Sequence, residues 1–194
     1  MYVASDTEPG MAMPVRDLQK IVYASLMAAL IAVGAYIHVP IGPVPIVLQN
    51  LFVLLAALLF GPRWALASMG IYLFVGAMGI PVFSGGRGGL AHFLGPTGGY
   101  LIGFTVSAFV TGYISQSGNQ RRAFDIAAVV LGSLVVYVFG VPWLKMVTGM
   151  TWTKAALAGM LPFLPGDAVK AAGAVVLARA LRPVLNRQTE SAST

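Results

Sequence analysis

The sequence predicts an all-α membrane protein, a bundle of six transmembrane helices. Three observations lead to that prediction. Hydrophobic residues make up 58% of the 194 residues and charged residues only 9%, whereas a soluble domain is about one-quarter charged. Long stretches without any charge alternate with short stretches rich in proline and glycine. Basic residues lie at the ends of the apolar stretches, as they do in the cytoplasmic loops of membrane proteins.

The composition also excludes several classes of function. The chain contains no cysteine, which rules out disulfide frameworks, thiolate nucleophiles and cysteine-ligated metals. Its net charge of +6 does not indicate nucleic-acid binding, because the basic residues form no stripe on a polar domain. Residues 1–15 lack the pattern of a signal peptide and are expected to form a disordered tail. Residues 16–183 then form the six-helix domain, and residues 184–194 form a cytoplasmic C-terminal tail.

Six apolar stretches have lengths close to the roughly 20 residues that a helix needs to cross a bilayer. They occupy residues 20–39, 46–61, 64–80, 99–117, 124–141 and 165–182. The first two belong to one uncharged run, which prolines and glycines at residues 40–45 divide. Pro62-Arg63 turns the chain into the third span, which Pro81 ends.

The last three spans follow connections that are rich in glycine or proline. A Gly-rich stretch from Phe83 to Gly99 precedes the fourth span, and Gly118-Asn119 ends it. Pro142 is predicted to end the fifth span. Pro162 and Pro165 interrupt the last apolar stretch, so its regular helix should begin near residue 165. At about 1.5 Å per residue it still reaches roughly 27 Å.

The distribution of positive charge indicates the orientation. With a cytoplasmic N-terminus, eight basic residues fall on that side: Arg16, Lys20, Arg63, Arg121, Arg122, Arg179, Arg182 and Arg187. Arg87, Lys145 and Lys154 fall on the far side, and Lys170 lies within the membrane. This excess follows the positive-inside rule. We therefore expect a multi-pass protein of the plasma or inner membrane with both termini in the cytoplasm.

The strongest candidate for a site is a pair of opposite charges inside the last span. Asp167 and Lys170 stand three residues apart, so they share one face of a helix and can reach each other. Each costs roughly 2.5–3.5 kcal/mol at the bilayer centre, so both must point into the bundle or a polar cavity. The pair either neutralises itself in a structural role or binds a polar ligand. Asp167 is the only carboxylate expected inside the membrane, which argues against paired-acid catalysis.

Further polar and aromatic residues flank the Gly-rich connection. Arg87 lies among glycines that let the backbone approach a ligand closely, and it either contacts the ligand or is solvated. Gln49 stands at the head of the second span, where an amide binds a ligand or holds helices together. Phe83 and Tyr100 are candidates for the apolar wall of a pocket or for core packing. His92 has no second metal ligand nearby in the sequence, so no metal site is predicted.

A row of small residues on the first helix predicts a close contact with another helix. Ala24, Ala28 and Ala32 are spaced four apart and lie on one face. Such rows let a second helix approach closely. That second helix belongs either to this chain or to another protein.

Taken together, these motifs resemble the BioY family, the biotin-specific substrate-capture components of energy-coupling factor transporters. The resemblance covers residues 20–182. It is carried by Pro43-Val-Pro-Ile-Val-Leu-Gln49, Gly79-Ile-Pro-Val-Phe83, Gly85-Gly-Arg-Gly-Gly89, Gly95-Pro-Thr-Gly-Gly-Tyr100 and Leu164-Pro-Gly-Asp-Ala-Val-Lys170. It implies a six-helix bundle that binds biotin near its extracellular side as a transported ligand, without a cofactor.

The resemblance also implies roles for individual residues. Asp167 would accept hydrogen bonds from the ureido N–H groups of biotin, and Lys170 would bond the ureido carbonyl or the valerate carboxylate. Arg87 is a second candidate for the carboxylate. Some relatives carry an arginine where this chain has Leu101, which leaves the carboxylate partner open. Aromatic rings, those of Phe83 and Tyr100, would pack against the bicyclic ring and the aliphatic tail.

Partners follow from the same resemblance. The row of Ala24, Ala28 and Ala32 would dock on a transmembrane coupling protein that sits on two ATPase subunits. The chain has no nucleotide-binding motif, consistent with energy supplied by those subunits. The alternatives are a solitary biotin facilitator, a capture component for thiamine or riboflavin, and an intramembrane enzyme. An enzyme would need a convergent catalytic set that the sequence does not offer.

Overall fold

The computed structural model describes residues 15–191 and is predominantly helical. In chain order its elements are α1 (Val15–Tyr36), β1 (His38–Val39), β2 (Ile46–Val47), α2 (Gln49–Ala77), α3 (Ala91–Leu94), α4 (Gly98–Ser117), α5 (Arg122–Thr148), α6 (Trp152–Gly159) and α7 (Leu164–Ser191). The predicted N-terminal tail lies outside the described residues, apart from Val15. The prediction of a helical membrane protein is confirmed.

Several helices have the length and composition of membrane spans. Within the described residues, α1 from Leu18, α2 and α5 pass this test individually. Helices α6 and α7 pass it together as a broken span with a bend of 45°. Helix α2 contacts α1, α4, α5 and α7, so it lies at the centre of the bundle.

Helix α2 folds back on itself, which produces the second and third predicted spans. Gly61 has φ 75° and ψ −176° inside it, a conformation that glycine adopts without steric cost. The Tyr72 hydroxyl lies 3.4 Å from Gln49 Oε1, whereas a straight helix would separate the two residues by about 35 Å. The two halves therefore run antiparallel. The turn predicted at Pro62-Arg63 is found, one residue earlier.

The first predicted span extends too far. Helix α1 ends at Tyr36, not at residue 39. His38 and Val39 pair antiparallel with Val47 and Ile46, because the prolines and glycines between them favour a turn over a helix. This short hairpin leads the chain into α2.

The predicted end of the fifth span at Pro142 is wrong. Helix α5 continues through Pro142 to Thr148, since membrane helices tolerate a proline when neighbouring groups satisfy the freed carbonyl. The helix ends where Gly149 adopts a left-handed conformation with φ 69°. The Gly149 N–H donates to the Lys145 carbonyl at 2.9 Å, a common C-terminal cap.

The last helix begins where the prolines predict. Helix α7 starts at Leu164 and extends to Ser191, so it includes the first eight residues, 184–191, of the stretch assigned to the C-terminal tail. Helix α6 precedes it as a short helix of 8 residues. The predicted connection between the fifth and sixth spans is thus partly helical.

Long-range contacts of α7 identify two ends of the bundle. At one end, Arg182 donates to the carbonyls of Leu58 and Gln120. At the other, Lys170 donates to the carbonyl of Val47. The first end, formed by residues 18–20, 58–64, 109–125 and 179–187, is named the closed end. The second, formed by residues 36–49, 79–98 and 148–170, is named the cavity end.

Candidate ligand-binding site

A cavity between α2, α4, α5 and α7 opens at the cavity end. The space between its walls, including the open mouth, is about 560 Å³. Its polar lining consists of Gln49, Asn50, Ser84, His92, Thr97, Asp167 and Lys170, and its aromatic lining of Tyr72, Tyr100, Phe104, Tyr137 and Phe163. Apolar walls with a few convergent polar groups are typical of small-molecule sites. The structure thus brings together the predicted contacts Gln49, Tyr100, Asp167 and Lys170.

The charged pair of α7 faces this cavity. Lys170 Nζ donates to Asp167 Oδ1 at 2.6 Å and to the Val47 carbonyl at 2.8 Å. The side chains of Lys170 and Asp167 are only 10% and 12% exposed. Both charges therefore point into the bundle, as the cost of placing them against lipid requires. An ammonium has three N–H donors, so Lys170 keeps one for a ligand.

Three tyrosines line the cavity, and two of them were not singled out from the sequence. The Tyr137 hydroxyl donates to Asp167 Oδ2, and the Tyr72 hydroxyl contacts Gln49. Tyr100, which was predicted, donates to the Gly159 carbonyl at 2.7 Å. A hydroxyl in the middle of an apolar span needs a partner. That requirement is the signal by which Tyr72 and Tyr137 could have been recognised.

Several buried polar atoms in the cavity wall have no partner within the described part of the chain. They are Gln49 Nε2, both amide atoms of Asn50, and Ser84 Oγ. Gln49 and Asn50 are each only 2% exposed. A buried donor or acceptor left unpaired costs about 1–3 kcal/mol. Because these groups face a cavity, they are available to a polar ligand, and Asn50 offers such a ligand both a donor and an acceptor.

Phe83 supports the wall without lining the cavity. Its ring is fully buried, and it packs edge-on against Tyr72 at 5.5 Å and against Phe93 at 5.4 Å. On another side it stacks on His92 at 4.7 Å. Phe83 therefore holds wall residues in place rather than presenting its own ring to the cavity.

Arg87 lies at the mouth of the cavity. Gly85 and Gly86, with φ 77° and 68°, form a tight turn that brings Arg87 back against Phe83. The Phe83 N–H donates to the Arg87 carbonyl at 2.8 Å. The exposed Arg87 side chain lines an adjoining space of about 1200 Å³, open solvent included, which shares His92 with the ligand cavity. Arg87 thus lies where the outer end of a ligand that extends out of the cavity would be.

His92 contributes a neutral polar group at the same mouth. Its Nε2 atom lies 3.1 Å from Thr97 Oγ1. Burial, and to a smaller degree the positive charge of Arg87, lowers the pKa of His92 below its ordinary value. The residues that the structure describes contain no group of three or more acidic, His or Cys side chains that could hold a metal.

The row of small residues on α1 lies largely inside the chain. Ala24 and Ala28 are 1% and 5% exposed, and Ala32 is half-buried. Ala28 and Ala32, together with Ser25 and Ala29, line a groove of about 640 Å³ beside the second half of α2. Ala24 packs within this chain, whereas the half-buried Ala32 is accessible beside the groove.

A second buried carboxylate lies at the closed end, so Asp167 is not the only one in the bundle. Asp125 is fully buried in the first turn of α5. Arg182 donates to both of its oxygens, at 2.6 and 3.0 Å. Ser115 Oγ donates to Asp125 Oδ1 at 2.6 Å. This pair ties α4, α5 and α7 together and lies far from the cavity.

Comparisons with known proteins agree on one family. The family model of the BioY family matches residues 7–187. A probable biotin transporter BioY of Pyrococcus horikoshii is 46% identical over 158 residues, which cover 81% of this chain and 93% of the relative. The biotin transporter BioY of Rhizobium etli is 42% identical, over 87% of this chain and 94% of its own length. The crystal structure of the S-component for biotin from an ECF-type ABC transporter superposes with a TM-score of 0.82 at 33% identity, covering 87% of this chain and 93% of that one.

Proposed function

The chain belongs to the BioY family, and from that premise we propose that it captures biotin for an ATP-driven vitamin uptake transporter. It is a transport component and not an enzyme. The observation that supports this most directly is the cavity, where a buried acid–base pair faces Gln49 Nε2 and the Asn50 amide, which have no partner among the described residues. Biotin combines a polar ureido group with an apolar ring and tail, and this cavity offers complementary surfaces for both.

The ureido group is proposed to bind at the α7 pair. Asp167 accepts hydrogen bonds from the ureido N–H groups, while Tyr137 and Lys170 fix the orientation of its carboxylate. Lys170 and the Asn50 amide are available to donate to the ureido carbonyl. Charge-assisted hydrogen bonds of this kind are about twice as strong as neutral ones. This arrangement would exclude ligands that lack paired N–H donors.

The carboxylate end of biotin is proposed to lie at the mouth. Arg87 is the basic residue placed there, and Leu101 lines the cavity deeper inside. The ring of Tyr100 contributes apolar wall along the path between them. Because Arg87 is exposed, its charge is screened by water and contributes less than the buried pair.

The chain is proposed to cross the plasma or inner membrane six times. The crossings are α1, the two halves of α2, α4, α5, and the bent pair of α6 and α7. The closed end carries most of the basic residues, including Lys20, Arg63, Arg121 and Arg122, which assigns it to the cytoplasm by the positive-inside rule. Both termini then face the cytoplasm and the cavity faces outward. Because the chain has no cysteine, single-cysteine variants at each end and an impermeant thiol reagent would test this topology.

The coupling partner is proposed to dock on α1. The groove beside Ala28 and Ala32 offers the close approach that a partner helix needs. The partner would be a transmembrane coupling protein with two ATPase subunits. Ala32→Leu, at the half-buried member of the row, should abolish co-purification with that module and leave biotin binding intact. Retained co-purification would place the docking surface elsewhere.

Biotin binding itself is the deciding measurement. The protein extracted in detergent should carry biotin and retain it through purification, and excess thiamine or riboflavin should not displace labelled biotin. Asp167→Ala and Lys170→Ala should abolish retention while the protein still inserts. Lys154→Ala, which removes an exposed charge outside the cavity, is the matched control and should bind normally. Unchanged affinity in both cavity variants would reject the assignment.

Uptake by reconstituted vesicles separates a coupled component from a solitary facilitator. Vesicles that contain the chain together with the coupling module and ATP should accumulate biotin. Equal uptake by the chain alone would identify a facilitator and contradict the proposed coupling.

A further inference from the structure

The closed end carries an open cleft that biotin binding does not use. It lies between the start of α1, the turn of α2 and the last turns of α4, and its space is about 970 Å³ with open solvent included. Two basic residues, Lys20 and Arg63, line it together with Gln116, Pro62 and four aromatic rings, those of Phe60, Trp64, Phe109 and Tyr113. The ligand cavity lies at the opposite end of the bundle.

The cleft has a positive electrostatic character. Lys20 and Arg63 are both exposed, and Lys20 Nζ lies 5.9 Å from the centre of the Trp64 ring. Among the side chains that the structure describes, those of residues 18–185 and 187, none that lines the cleft is acidic. Gln116 and Tyr113 add uncharged hydrogen-bond donors beside the two cations. This set of donors is complementary to a phosphate group.

The aromatic side of the cleft continues into the outer surface of α4. Phe109 and Tyr113 stack with their ring centres 6.0 Å apart, and they are 46% and 59% exposed. Ile102 lies further along the same helix and is 43% exposed. Large apolar side chains exposed on a membrane helix face lipid tails, and aromatic rings concentrate at the headgroup level. The cleft therefore adjoins the surface that acyl chains cover.

We propose that this cleft binds an anionic phospholipid. Its phosphate headgroup is held by Lys20, Arg63 and Gln116, and one acyl chain lies along Phe109 and Tyr113. A free phosphate would use the cations but not the aromatic face. An acidic peptide from a soluble partner would likewise leave the rings of Phe109 and Tyr113 uncovered. Basic pockets between membrane helices on the cytoplasmic side recognise headgroups in this way, and the inference adds to biotin capture without depending on it.

The test uses the full-length protein, stripped of lipid in detergent and titrated with short-chain phosphatidylglycerol. Native mass spectrometry counts bound lipid, and thermal unfolding reports its effect without any need for biotin. We expect phosphatidylglycerol to bind at least tenfold more tightly than phosphatidylcholine. Lys20→Gln/Arg63→Gln should remove that preference, whereas Arg122→Gln/Arg179→Gln, which removes two exposed cations outside the cleft, should keep it.

Several results would overturn the proposal. Equal affinity for phosphatidylcholine and phosphatidylglycerol would show that the headgroup charge has no role. An equal loss of the phosphatidylglycerol preference in Arg122→Gln/Arg179→Gln would show that the preference depends only on the net charge of the protein. Displacement of the lipid by an equal concentration of inorganic phosphate would identify a phosphate site instead. Displacement by polyglutamate would point to an acidic protein partner. Arg63→Gln alone, which changes one exposed residue, should weaken lipid binding at least threefold, so the test survives if the double variant fails to fold.

Discussion

The bundle contains a buried acid–base pair at each end, and α7 contributes to both of them. Asp167 and Lys170 lie 2.6 Å apart at the cavity end, and Asp125 and Arg182 lie 2.6 Å apart at the closed end. Both combine a carboxylate with a cation inside a protein that lipid surrounds. The surroundings of the two pairs differ, and that difference is the reason for proposing a ligand site at only one of them.

At the closed end, the protein itself occupies nearly all the hydrogen-bonding capacity of the pair. Arg182 donates to the Leu58 carbonyl at 2.9 Å and to Ser115 Oγ at 3.2 Å, besides its bonds to Asp125. Only its Nε atom lacks a partner within the described residues. At the cavity end, Lys170 has a third N–H donor that no described residue accepts, and Gln49 Nε2 and the Asn50 amide also have no partner among the described residues. A buried charge pair alone therefore does not indicate a binding site; unused hydrogen-bonding groups beside open space do.

The largest effect that this comparison predicts is on folding. Arg182→Met leaves Asp125 buried without its cation, and breaking a buried pair in this way costs about 3–5 kcal/mol. Thermal unfolding in detergent should show that loss, while the fraction that remains folded binds biotin normally. Lys170→Met, the matched change at the other end, should cost less than half as much stability, because water in the cavity still reaches Asp167. The comparison fails if Arg182→Met weakens biotin binding without lowering stability.

A smaller effect of opposite sign is expected at Asn50. Replacing both unpaired amide atoms by an apolar side chain, Asn50→Leu, should stabilise the empty protein by about 1–3 kcal/mol. The same change should weaken biotin binding about tenfold, because the ligand loses its partner. Calorimetric titration and thermal unfolding measure the two effects. Ser107→Ala removes a buried unpaired hydroxyl outside the cavity and should stabilise without altering affinity; a parallel loss of affinity would contradict a local role for Asn50.

The two pairs also differ in how far the sequence reveals them. Asp167 and Lys170 are visible because they stand three residues apart inside an apolar run. Asp125 follows two arginines at the edge of a span, where a carboxylate is usually solvated. Its partner Arg182 is 57 residues away, a separation that only the packing of α5 against α7 closes. Spacing in the sequence predicts a pair on one helix, such as Asp167 and Lys170. A pair between two helices, such as Asp125 and Arg182, can be recognised only once the packing of the helices is known.

The same limit explains the other differences between sequence and structure. Prolines and glycines predict the turn near Gly61 because their effect is local. Pro142 misleads because neighbouring helices compensate for a proline within α5. Phe83 lies in a predicted pocket motif, yet whether a ring faces the cavity or supports its wall depends on Tyr72 and Phe93, which come from other segments.

Tyr137 provides a finer test of the cavity end. Tyr137→Phe removes the hydroxyl that donates to Asp167 and preserves the ring. The carboxylate then loses one of the groups that orient it, so biotin affinity should fall about five- to tenfold, equivalent to about 1–1.4 kcal/mol. Tyr113→Phe at the closed end is a control for the same chemical change and should leave biotin affinity unaltered. Equal affinity in wild type and Tyr137→Phe would mean that Lys170 alone positions Asp167.

The smallest effect is expected at the mouth, where the charge is exposed. Arg87→Gln should weaken biotin binding about fivefold or less, since exposed ion pairs contribute about 0.2–1 kcal/mol, and added salt should shrink the difference. The change should also raise the pKa of His92 partway towards its ordinary value, because burial, the larger cause of the lowered pKa, remains. In the wild type, a His92 pKa below that of the unfolded chain means that its contribution to stability is lost as the pH falls below about 6.5. Arg87→Gln should lose less stability over that acid range, and nuclear magnetic resonance titration of His92 would follow the proton directly. An unchanged pKa of His92 in Arg87→Gln would show that the Arg87 charge does not affect His92. An unchanged biotin affinity would indicate that Lys170, and not Arg87, binds the carboxylate of biotin.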